Sequence, residues 1–86
     1  MDVRQAPCEA TAAAASYLSR EWGENRTLGF VGTHHEPDAR WYVFQCMAGD
    51  GSRWLIASDR WGNTRDWSNA REEEKQLAAA FGVEVV

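Results

Sequence analysis

The chain has 86 residues, five of them tryptophan, and a formal net charge of −4 from 9 Lys+Arg against 13 Asp+Glu. That length makes one domain, 1–86, with a thin core, and the acidic balance argues against phosphate-backbone binding, which normally leaves excess positive charge. Two cysteines, neither in a CxxC pair, are too few for a disulfide-built secreted domain, and no stretch approaches the roughly 18 apolar residues of a membrane span.

Residues 1–6 are expected to fray. Pro7 suits the first position of a helix, where its missing N–H costs nothing. Cys8, Thr11, Ala15, Leu18 and Trp22 then recur at spacings of three and four, and Gly23 stops the helix. Glu9, Arg20 and Glu21 interrupt this segment, so it does not read as a secretory leader. The location expected from these features is cytoplasmic, with both thiols reduced.

Residues 27–34 read as a strand, weakened by Gly29 and Gly32, which suggest an edge position or a bulge. Glu36-Pro37-Asp38-Ala39 is a turn. Residues 40–48 form the clearest strand, rich in aromatic and β-branched types. Gly49-Asp50-Gly51 closes a bulged hairpin onto a strand at 52–58, with Gly51 in the left-handed region. Asp59-Arg60-Trp61-Gly62-Asn63 reverses the chain again, and Thr64–Arg65 allows a short extended stretch. Asp66 or Ser68 is placed to cap a second helix, 67–81, with Trp67, Ala70, Leu77, Ala78 and Phe81 as its apolar positions. Val83 to Val86 can add a brief terminal strand. The predicted fold is therefore α+β in the order α-β-β-β-α: a three-stranded antiparallel meander with both helices on one face.

The hairpin register carries the functional argument. Pairing Ala48 with Ser52 sets Cys46 opposite Trp54, Phe44 opposite Ile56 and Tyr42 opposite Ser58. Those residues make one oily face for the helices. The other face then carries Trp41, Val43, Met47 and Leu55, where a half-solvated sheet would put polar residues. A patch of about 400 Å² would suit a protein partner or self-association. The competing reading is cover by the C-terminal strand, the N-terminal tail or the 34–39 loop. Arg53, Arg60 and Arg65 with Trp61 form the best polar-aromatic group, the composition of a protein–protein hot spot. Trp61 can equally fold back as a lid on the core.

The expected function is thus a small non-enzymatic interaction module, of the inhibitor, immunity or adaptor kind, by analogy with small acidic bacterial and phage proteins. Its predicted contact residues are Trp41, Val43, Met47, Leu55, Arg53, Arg60, Trp61 and Arg65, with no catalytic residue and no cofactor. The first alternative is nucleic-acid binding through the same arginines and indoles. The element order resembles that of double-stranded-RNA-binding domains in topology alone. There the second helix opens on lysines that meet phosphates; here it opens Ser68-Asn69-Ala70-Arg71-Glu72-Glu73-Glu74, which repels them. The second alternative is a small-ligand or metal-binding enzyme using His34 and His35, but no HExxH or CxxC spacing supplies the remaining ligands. Cys46, mid-strand on the oily face, reads as a small hydrophobe rather than a nucleophile.

Overall fold

The computed structural model describes residues 6–86. Helix α1 spans Cys8–Trp22, strands β1 to β4 span Arg26–Glu36, Ala39–Ala48, Arg53–Ser58 and Thr64–Asp66, and helix α2 spans Arg71–Phe81. The four strands form one antiparallel sheet in the order β1-β2-β3-β4. The fold is α+β with the expected α-β-β-β-α sequence of elements, and the extended stretch at 64–65 becomes the short β4. Among the described residues no helix is long and apolar enough to cross a membrane. The frayed segment expected at 1–6 lies outside the described residues except for Ala6, which packs against the core beneath α1.

The β2–β3 register is the one the hairpin arithmetic predicts: Tyr42 faces Ser58, Phe44 faces Ile56 and Cys46 faces Trp54. Gly51 holds φ +93° in the connecting turn, a conformation that side chains with a Cβ resist. On the sheet face carrying these pairs, α1 buries Ala10, Ala14 and Leu18 against Tyr42, Phe44, Cys46 and Ile56. Three small or compact residues at helical spacing let the helix lie close to the strands. There the buried Ser58 hydroxyl donates to the Ala10 carbonyl at 2.6 Å.

The second helix is on the other side, not beside the first. Leu77, Ala78 and Phe81 pack with Trp41, Val43, Leu55, Ala57 and Trp67, joined by Val83 and Val85. The expectation of both helices on one face therefore fails, and its physical reason is burial. Val43 and Leu55 are fully buried, and burying each such side chain is worth about 1.5–3 kcal/mol. A helix laid over this face collects that gain, whereas the first face is already filled by α1 and its aromatic neighbours.

The C-terminal segment completes the roof without forming a ladder. Val86 exchanges backbone hydrogen bonds with Arg53 (2.9 and 3.3 Å), and Gln45 Nε2 donates to the Glu84 carbonyl at 2.8 Å. Helix α2 begins four residues later than the predicted start at 67. Asp66 accepts from the Ser68 N–H (3.1 Å) and hydroxyl (2.8 Å), making a turn that drives Trp67 into the core at 2 % exposure. Strand β1 is longer than predicted, running to a Glu36–Ala39 pair, and its register shifts at Val31 between Phe30 and Gly32. The Phe81 ring lies directly on Gly32, in the space a Cβ would need.

Candidate binding surface

Outside this double-sided core, the turn joining β3 to β4 carries the most exposed large apolar side chain among the described residues. The Asp59 carboxylate, itself buried, accepts from the Trp61 N–H and the Asn63 N–H, each at 2.9 Å, and from Asn63 Nδ2 at 2.8 Å. Asp59 N–H closes the loop on the Asn63 carbonyl at 3.0 Å. Desolvation pushes the Asp59 carboxyl up, but these donors outweigh it and hold its pKa below the usual aspartate value. One buried anion thus fixes the turn, and the turn carries Trp61 outward with 81 % of its surface exposed.

Beside the indole, Arg60 Nε donates to the Tyr42 hydroxyl at 3.2 Å. That hydrogen bond leads the effects that lower the Tyr42 pKa, ahead of opposing desolvation and a further contribution from Arg40. Asp38, Arg40, Tyr42, Arg60 and Trp61 line a shallow cleft of about 340 Å³ between this turn and the β1–β2 turn. The arrangement offers an indole face flanked by two guanidiniums and a phenol. Chemically it is an apolar plate with guanidinium donors around it and one carboxylate, Asp38, at its edge.

Of the residues predicted for contact, the structure brings Arg60 and Trp61 together here. Val43 and Leu55 belong to the core beneath α2, so the exposed oily patch does not form. Trp41 is half-buried, with Nε1 donating to Glu36 Oε1 at 3.1 Å. Arg65 lies over both Trp41 (5.4 Å) and Trp67 (5.0 Å) while its Nη1 meets Glu36 Oε2 at 3.0 Å, so it is committed to the fold. Desolvation opposes the Glu36 charge, but the Arg65 and Trp41 hydrogen bonds win and its pKa falls below the usual value. Met47, 39 % exposed, and Arg53 face each other across β2 and β3, near the opposite hairpin.

Arg40 and Tyr42 were missed. The predicted register contained the signal, because Tyr42 faces Ser58 and Arg60 lies two residues further along the same side. His34 sits 3.5 Å from Glu36, whereas His35 pairs with Arg40 and is exposed. Adjacent strand residues point to opposite faces, which keeps the two imidazoles from sharing a ligand. Among the described residues no three His, Cys, Asp or Glu side chains converge as a metal ligand set. Both cysteines are free; Cys8 is exposed, and burial, helped by the charge of Glu74, pushes the Cys46 thiol up to about 12. In comparison with known proteins, no family model, no curated protein and no solved structure matches this chain.

Proposed function

We propose that this chain is a protein-binding module that docks through Trp61 and the flanking Arg40 and Arg60, with the buried Tyr42 hydroxyl holding Arg60 in place. The observation that carries this reading is a large indole left 81 % exposed on a turn braced by a buried carboxylate. Burying about 200 Å² of that ring on association would contribute about 5 kcal/mol gross, and a preset turn spares much of the ordering cost. Two guanidiniums beside it select a partner surface bearing carboxylates, against a chain whose own net charge is −4. A reducing cytoplasm is the compartment that suits its free thiols.

The test is comparative capture from an extract of the native host on immobilised wild type and Trp61→Ala. A partner retained by the wild type should bind the variant about 30-fold more weakly, or about 2 kcal/mol. Identical retention on both rejects the reading. Nucleic acid is the second reading, since an indole beside arginine also stacks bases; the acidic first turn of α2, Glu72 to Glu74, counts against it. Affinity for a single strand that falls steeply with salt would favour that alternative.

A further inference from the structure

The two edges of the sheet are finished differently. Beyond β3, strand β4 pairs with Ile56, Ala57 and Ser58, the Glu74 carboxylate accepts from the Leu55 N–H at 2.9 Å, and Val86 bonds to Arg53. That edge is covered along its length. The opposite edge is β1, an 11-residue strand whose one neighbour in the sheet is β2. It contains neither lysine nor proline, the residues that commonly guard an exposed strand. An open row of backbone donors and acceptors is a template for another strand.

Which groups point outward follows from the hairpin. Ala48 N–H donates to the Ser52 carbonyl, so even-numbered residues of β2 turn their backbone groups to β3 and odd-numbered ones to β1. On β1 the inward set is then Thr27 and Gly29 before the register shift, and Gly32, His34 and Glu36 after it. Inside the end residues, the outward set is Leu28 and Phe30, then Thr33 and His35. No backbone group of the described residues is hydrogen-bonded to their outward side. The extra residue at the shift sets Phe30 and Thr33 three positions apart instead of two. A regular strand laid on this edge must absorb that residue in a bulge, as β2 does. A second β1 has the same spacing and stays in step.

We propose that β1 pairs antiparallel with β1 of a second copy of this chain about a two-fold axis, joining the two sheets edge to edge. One register lets all four outward residues meet one another: Leu28 opposite His35 and Phe30 opposite Thr33, each twice. It forms about eight backbone hydrogen bonds. The same register sets His34 opposite Gly29 of the second copy in the closer, non-hydrogen-bonded kind of pair. There a Cβ on Gly29 would meet nothing within 4 Å, so the imidazole has room. On the other face Leu28 and Phe30 are half-buried and border shallow cavities of about 210 and 250 Å³ between α1 and β1. Thr33 and His35 of the second copy lie beside them and shield them further. Helix α1 leaves this edge open, being held over β3 by the bond from Ser58 to Ala10. No residue of the Trp61 surface takes part, so this dimer and the reading of Trp61 stand or fall separately.

The test is sedimentation equilibrium of the full chain from about 10 µM to about 1 mM, a range suited to a small interface. Thr33→Pro and Trp61→Ala are run beside it. Proline at 33 removes an outward N–H and no bond to β2, which an edge strand tolerates; a thermal melt at the lowest concentration checks the fold. The wild-type mass should climb from monomer toward twice that value, Trp61→Ala should follow it, and Thr33→Pro should associate at least about tenfold more weakly. A wild type that stays monomeric overturns the proposal, as does a well-folded Thr33→Pro that dimerises equally. A dimer lost in Trp61→Ala places the contact at the indole and also overturns it. If Thr33→Pro folds poorly, amide exchange on the wild type decides. Exchange at Leu28, Phe30, Thr33 and His35 should slow as concentration rises, and dimerisation without that slowing contradicts the pairing.

Discussion

Single residues show how a small acidic chain uses its polar groups to hold aromatic ones in place. Arg65 is the clearest instance, lying over Trp41 and Trp67 while its guanidinium meets Glu36. A contact predicted for a partner is spent inside the molecule. Cys46 is another, fully buried between helix and sheet with its thiol pushed up to about 12, whereas Cys8 is exposed. A thiol reagent at neutral pH should therefore modify Cys8 at once and Cys46 only at the rate of opening or unfolding. Two equally fast thiols would contradict the buried placement.

The titrating groups fix the pH range of stability. Glu36, Asp59 and Asp66 have folded pKa values below their ordinary ones, because their hydrogen bonds outweigh the desolvation that opposes them. Their contribution is complete above the usual carboxylate range and is lost as pH falls through the lowered values. Tyr17 is raised to about 12, by burial first and then by its bond to Asp66, and Cys46 is raised to about 12 by burial. Raised acids contribute fully below their ordinary values and lose that stability as pH climbs toward the raised ones; the lowered Tyr42 acts in the opposite sense, but the two large upward shifts outweigh it. Urea midpoints should accordingly be flat from about pH 5 to about pH 9 and fall on both sides. In Tyr17→Phe the alkaline fall should be shallower; a midpoint still rising above pH 9 would contradict these assignments.

Among the elements, the β2–β3 hairpin was fully legible, because a three-residue loop and a period of two fix every cross-strand pair. The bulge in β1 was legible as well, through Gly29 and Gly32. What alternation leaves open is which helix covers which face. It groups Trp41, Val43 and Leu55 on one side but does not say whether α2 or a partner lies over them. The deciding feature is the short link 67–70, where the Asp66–Ser68 turn sends Trp67 inward and carries α2 across the sheet edge. In the sequence Glu74 is one of three consecutive glutamates, and only the fold reveals that its carboxylate accepts from the Leu55 N–H. The docking of α2 has its own test at Gly32, where the Phe81 ring occupies the position of a Cβ. Gly32→Ala should destabilise the chain by about 1–3 kcal/mol through overpacking, measured by denaturant midpoint. An unchanged midpoint would mean that α2 does not press on β1 there.

At the scale of the whole molecule, the chain roofs both faces of its sheet with its own helices and C-terminal segment. The candidate surface shrinks accordingly from a sheet face to a turn. Exposed large apolar side chains among the described residues are Met47, Trp61 and Val86, of which Trp61 is the most exposed. Because its ring touches little of the core, Trp61→Ala should leave stability within about 0.5 kcal/mol of the wild type. That separation of folding from binding is what makes the residue decisive. The most direct measurement sets the melting temperature of Trp61→Ala beside the affinity of a partner recovered from the host on the wild-type chain. An unchanged melting temperature with binding weakened about 30-fold is the predicted result; unchanged binding, or a melting temperature lowered as for a core indole, would contradict it.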